Sequence, residues 1–155
     1  MNVCVNHHPL IIGIGNPLRS DDGLGWIVAE QLSQDCEMDC DIHAVYQLTP
    51  ELAQWMAAAN LVVMIDASHV GEPGELCIRS LSLPLSAQPS ALGTHYTTPE
   101  ELAALTAAVY GRCPPVVVVS VTGADFSIGE QFSAIVARRL ALVSASVRQI
   151  CANAL

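Results

Sequence analysis

Apolar positions along the chain follow two rhythms that alternate with each other. Leu10-Ile-Ile-Gly-Ile-Gly15 is a short apolar run closed by glycine, the pattern of a strand buried on both faces. From Asp22 onward, Leu24, Ile27, Val28 and Leu32 fall at helical spacing. Asp41 to Tyr46 alternates weakly and reads as a second strand. Thr49-Pro50-Glu51 predicts a helix start, with Thr as N-cap and Pro at the first helical position, in a helix that runs to about Ala59. Leu61-Val-Val-Met-Ile-Asp66 is a third buried strand, ended by a carboxylate. Gly71-Glu-Pro-Gly74 is a turn, Glu75 to Leu81 an edge strand, and residues 82–94 a Pro/Ser/Gly-rich loop. Thr98-Pro-Glu-Glu101 is a capping box with Pro inside it and opens a helix through about Tyr110. Val116–Val121 predicts a central strand, and Glu130 to about Ile150 one long amphipathic helix.

Strands that alternate with helices predict an α/β fold. The expected architecture is a single domain over residues 1–155, a three-layer α/β/α sandwich whose mostly parallel, twisted sheet of about five strands has helices on both faces. In such sheets ligands bind outside the carboxyl ends of the strands, where the strand order reverses. Asp21 and Asp22 follow the first strand and Asp66 ends the third, so both acidic positions fall on one edge. Gln47 and Thr49 after the second strand, and Thr122, Asp125 and Phe126 after the last, reach the same edge.

Composition narrows the function classes. Fifteen acidic residues against six basic ones give a net charge of −9, which argues against nucleic acid or an anionic membrane surface as partner. Apolar runs such as Pro114–Val121 have strand length, well short of the ~20 residues of a membrane span. The N-terminal residues lack the basic segment of a secretion signal, so the expected location is the cytoplasm, with reduced thiols. Cys77 and Cys113 flank or occupy strands and are expected in the core, while Cys36 and Cys40 lie in an acidic connector with weak metal-site spacing.

The glycine loop after the first strand is where phosphate usually binds, because the N–H groups of a helix start are unpaired there. In this chain that ground carries Asp21 and Asp22. The dinucleotide fingerprint is also broken: Leu18 stands where the third glycine belongs, and Tyr46-Gln47-Leu48 holds no acid for a ribose. One of the two aspartates is expected to cap the following helix and the other to point into the cleft. Asp66, set among apolar residues, needs a partner for its ionised form, either a loop-ordering hydrogen bond or a ligand. A third group would be a histidine: His95, three residues before the capping box, or His69, three residues after Asp66. His7, His8 and His43 lie toward the other end of the strands. Two acids and one histidine suit a borderline divalent cation such as Ni²⁺, Zn²⁺ or Cd²⁺. No G-x-S-x-G elbow occurs and no cysteine stands beside a histidine, so a covalent nucleophile has no support.

These residues resemble the hydrogenase maturation endopeptidases, which remove a C-terminal extension from the large subunit of nickel–iron hydrogenases. The likeness rests on Gly13-Ile-Gly-Asn-Pro-Leu-Arg-Ser-Asp-Asp-Gly-Leu-Gly25, Asp66-Ala-Ser-His-Val-Gly-Glu-Pro-Gly74, Thr94-His-Tyr-Thr-Thr-Pro-Glu-Glu-Leu102 and Gly123-Ala-Asp-Phe-Ser-Ile-Gly129, in the family's order. The resemblance implies a protease, of aspartic type by family classification, whose metal-contacting positions fall on Asp22, Asp66 and His95. It also implies that the metal is nickel already installed in the precursor, with Cd or Zn as in vitro substitutes, so that no permanent cofactor is needed. The partner would be the hydrogenase large-subunit precursor, bound by its C-terminal tail. Asp22 or Asp66 is the candidate base. Some members have Glu at the Asp22 position, which sets the carboxylate here one methylene further back. Two other classes remain open: a metal-sensing chaperone of the large subunit that does not cut, and a small-molecule hydrolase or nucleotide-binding protein on a similar fold.

Overall fold

A computed structural model describes residues 8–82 and 97–154. The strands are β1 (Leu10–Ile14), β2 (Asp41–Val45), β3 (Val62–Ser68), β4 (Leu76–Leu81) and β5 (Val116–Thr122). The helices are α1 (Leu24–Ser33), α2 (Leu52–Ala58), α3 (Pro99–Tyr110), α4 (Ala134–Ala137) and α5 (Leu140–Asn153), with a 3₁₀ turn at Ser20–Gly23 ahead of α1. The five strands form one sheet in the order β2-β1-β3-β5-β4. All pairings are parallel except β4 with β5, so β3 is central and β5 lies one place outward.

The alternation within β1 shows how the layers divide. Leu10, Ile12 and Ile14 face one side and pack with Met64 and Val118 under α2 and α3. Ile11 faces the other side with Val63, Ile65 and Val119, under α1 and α5. Gly13 shares that second face, and a Cβ on it would overlap the backbone carbonyl of Gly25 in α1. Likewise, a Cβ on Gly25 would overlap the carbonyls of Ile14 and Ile65. The two glycines thus let the helix backbone lie directly on the strands, which fixes where the loop between them emerges.

Four expectations need correction. The helix expected from Glu130 to Ile150 is two helices, and it begins only after Ser133, whose backbone is extended at φ −57°, ψ 151°. Ser133 gives its N–H and its hydroxyl to Asp21 and cannot join a helix running in from residue 130. Thr49 is not the cap of α2: Leu52 and Ala53 bond back to the carbonyls of Thr49 and Pro50 in a tight turn, and the helix opens at Leu52 with Glu51 at the cap position. Cys77 is exposed on the edge strand, whereas Cys113 packs against the core as expected. β3 also continues past Asp66 to Ser68, so the acid lies within the strand rather than at its end. The capping box of α3 is present in full: Thr98 Oγ1 accepts the Glu101 N–H at 3.1 Å, and the Glu101 carboxylate accepts the Thr98 N–H at 2.9 Å. The Pro/Ser/Gly-rich loop lies almost wholly outside the described residues. No described helix is long and apolar enough to cross a membrane.

Candidate active site

β1 pairs with β3 only as far as Gly13 opposite Ile65, while β3 continues against β5 through Asp66–Ser120 to Ser68–Thr122. Where β1 leaves the sheet a crevice opens, and its chain turns at Gly15. That residue has φ +144°, and a Cβ there would overlap the Asp22 carbonyl. The turn folds the following loop back on itself: Asn16 N–H donates to Asp22 Oδ2 at 2.9 Å, and Leu18 N–H donates to Asn16 Oδ1 at 2.9 Å. The Asp22 carboxylate is therefore oriented by its own loop.

The cleft at this point has a volume of about 540 Å³ and is lined by Arg19, Asp22, Tyr46, Gln47, Asp66, His69, Thr97, Pro99 and Phe126, together with apolar backbone positions of β1 and β3. It thus lies at the carboxyl edge between β1 and β3, where the connections leave in opposite directions. Asp66 is half-buried and accepts one hydrogen bond, from Ala67 N–H to Oδ1 at 2.8 Å. Burial pushes its carboxyl up to about 7, the Ala67 N–H pulls against that, and the nearby charge of Asp22 adds to the rise. Asp22 and Asp66 thus share one cleft and feel each other electrostatically.

Neither aspartate of the loop caps a helix through its side chain, contrary to expectation. Asp21 is fully buried and points away from the cleft into the segment after β5. Its carboxylate accepts the N–H groups of Ala124 (2.7 Å), Asp125 (2.9 Å) and Ser133 (2.8 Å), and the Ser133 hydroxyl (2.7 Å). Burial alone would raise this carboxyl, but these donors outweigh it and hold it below the usual carboxylate range. Asp21 is a structural tie between the loop before α1 and the loop before α4.

Of the histidines, His69 lines the cleft and stacks on Phe126 with ring centroids 3.8 Å apart. His95 lies outside the described residues, although Thr97 and Pro99, which follow it, line the cleft wall. Among the described residues no three His, Cys, Asp or Glu side chains are placed together to hold a metal ion. His8 sits at the other end of the sheet against Asp39, and His43 stacks on Trp55. Gln47 and Phe126 reach the cleft as expected, whereas Thr49, Thr122 and Asp125 do not line it. Asp125 instead turns back onto Ser127. Cys40 has Cys151 of α5 as its thiol neighbour rather than Cys36. Two lining residues, Arg19 and Tyr46, were not singled out in the sequence. A signal for Arg19 was available, since it falls two residues before the acidic pair in the glycine loop.

Solved structures share this fold. The chain is similar to a [NiFe] hydrogenase maturation protease HycI from Thermococcus kodakarensis KOD1, at TM-score 0.72 and 26% identity, over 93% of this chain and 92% of that one. It is also similar to a hydrogenase 2 maturation peptidase from a Thaumarchaeota archaeon (TM-score 0.69, 20% identity, 92% and 97% covered). A third match is the hydrogenase maturating endopeptidase HybD from E. coli (TM-score 0.66, 20% identity, 90% and 89% covered). The last two bear on the fold alone. No protein-family model matches the chain, and no curated protein matches it.

Proposed function

We propose that this chain, which has the fold of the [NiFe] hydrogenase maturation proteases, is an endopeptidase that removes a C-terminal extension from the nickel-loaded precursor of a hydrogenase large subunit. The observation that carries the reading is the pairing of Asp22 with Asp66 in one cleft at the sheet's carboxyl edge, in a chain that matches a [NiFe] hydrogenase maturation protease over nearly its full length.

The nickel belongs to the substrate. Asp22 and Asp66 offer carboxylate oxygens to it and His95 supplies an imidazole, so that a loaded precursor is held where an empty one is not. The described cleft-lining residues include no serine or cysteine, in keeping with water as the nucleophile. Asp22 or Asp66 takes its proton as general base, and that proton passes to the leaving amine. Each of the two carboxylates keeps one oxygen clear of the hydrogen bond that orients it, Asp22 against Asn16 and Asp66 against Ala67. The work takes place in the cytoplasm, with neither nucleic acid nor membrane as partner, in keeping with the net charge of −9.

The test is incubation of the protein with nickel-loaded and nickel-free precursor. Truncation of the loaded form alone is expected; equal truncation of both would remove nickel from the recognition. Binding without any change in precursor mass would favour a chaperone that does not cut.

A further inference from the structure

The chain holds six arginines and no lysine, and most of its guanidinium groups are occupied. Arg79 pairs with Glu100 and Arg148 with Asp35, Arg112 binds the carbonyls of Ala57 and Ala59, and Arg139 donates to the carbonyl of Gly74 at 2.8 Å. Arg19 has no such partner among the described residues, and it lines the cleft that holds Asp22 and Asp66.

Its position is built rather than incidental. The next residue, Ser20, is the one described non-glycine residue with positive φ, at +52°, a conformation that persists only where the surroundings enforce it. The enforcement comes from Ser20 N–H to the Gly129 carbonyl (2.8 Å), Ser20 Oγ to the Ser127 carbonyl (2.8 Å) and Gly129 N–H to the Leu18 carbonyl (2.9 Å). Residues 18–20 are thereby laid alongside residues 127–129, with Arg19 bridged to Gly129. None of these bonds uses the guanidinium.

The two acids of the cleft do not neutralise Arg19 either. Asp22 is turned onto the N–H of Asn16. No ion pair joins Arg19 to Asp22 or to Asp66 among the described residues. A peptide that fills the cleft would strip water from this cation, and a buried charge without a counter-charge is costly. The counter-charge must then come with the peptide, and the planar fork of a guanidinium matches a carboxylate.

We propose that Arg19 is a positioning and specificity-determining residue that anchors a carboxylate of the substrate tail, either an acidic side chain or the terminal carboxylate. The inference rests on the proposed function and deepens it. Because Arg19 makes no ion pair with Asp66 among the described residues, it holds the tail rather than the reacting carbonyl, and its loss weakens binding more than turnover.

The experiment measures kcat and KM on nickel-loaded large-subunit precursor for the wild type, Arg19→Ala and Arg19→Lys. It uses three forms of the precursor: unaltered, with a C-terminal amide, and with the acidic side chains of the tail changed to amides. Arg19→Ala should raise KM roughly ten- to a hundredfold, the worth of a hydrogen bond to a charged group, with kcat nearly unchanged and melting unaffected. Arg19→Lys should recover part of the loss. The altered precursor that abolishes the difference between wild type and Arg19→Ala identifies which carboxylate is bound. An unchanged KM, a fall confined to kcat, or an Arg19→Ala effect that survives both altered precursors would overturn the proposal. Should the wild type not cut, the protease reading fails, and calorimetric binding of the same precursors decides on Arg19 separately. A loss of affinity in Arg19→Ala that one altered precursor cancels sustains the anchor; equal affinities, or no binding by the wild type, overturn it.

Discussion

Asp21 and Asp66 are both carboxylates at the same edge of the sheet, and they meet opposite fates. Asp21 is fully buried and surrounded by donors from Ala124, Asp125 and Ser133, and its carboxyl is held below the usual range. Asp66 is half-buried with one donor, the Ala67 N–H, and its carboxyl is pushed up to about 7. The first is a completed structural tie, whereas the second is kept incomplete in a cleft. Burial alone does not decide which way an acid's pKa moves; the supply of hydrogen-bond donors does.

Substitutions can break the contrast from either side. Asp21→Ala should have the largest effect on stability, about 3–5 kcal/mol, because it leaves three backbone N–H groups and a hydroxyl without their acceptor; denaturant melting reads it directly. Asp66→Asn should leave melting at pH 8 unchanged or raised, yet lower precursor cleavage about a hundredfold or more, within the range that loss of a general base produces. Cleavage at the wild-type rate by Asp66→Asn would take Asp66 out of the site.

The pH dependence sharpens the comparison further. Between about pH 4 and pH 7 the folded protein retains a proton on Asp66 that the unfolded chain has lost, so stability falls as pH rises through this window and levels off above it. The change is on the order of 2 kcal/mol, allowing for the water that still reaches the half-buried group. Asp21 runs the other way: its contribution is in place above the ordinary aspartate pKa and is lost as pH falls through the lowered one. Melting from pH 4 to 8 should therefore lose its downward slope in Asp66→Asn and keep it in Ser133→Ala. The latter should cost only about 1 kcal/mol, since the Ser133 N–H still reaches Asp21.

The same two residues show what a sequence discloses. The apolar run before Asp66 and the glycine loop before Asp22 are local patterns, and the rules of parallel sheets bring their ends to one crevice. The capping box at Thr98 was legible for the same reason, since all its partners lie within four residues. The role of Asp21 was not, because its partners stand more than a hundred positions away in sequence. The break ahead of α4 follows from that same distant bond at Ser133, so periodicity alone joined residues 130–150 into one helix. Thr49 failed differently: it carries the cap signature, but its hydroxyl goes to Glu51 and the turn tightens before the helix begins. The sequence offered His95 and His69 alike and only the family resemblance chose His95, which lies outside the described residues; of the two, His69 is the one seen lining the cleft.

The most direct test is the intact mass of a nickel-loaded large-subunit precursor after incubation with the wild type, with Asp66→Asn and with Asp22→Asn. The wild type should shorten the precursor by a single C-terminal fragment, and both variants should leave its mass unchanged while remaining folded. An unshortened precursor with the wild type, or a shortened one with both variants, would contradict the assignment of this cleft as the site of cleavage.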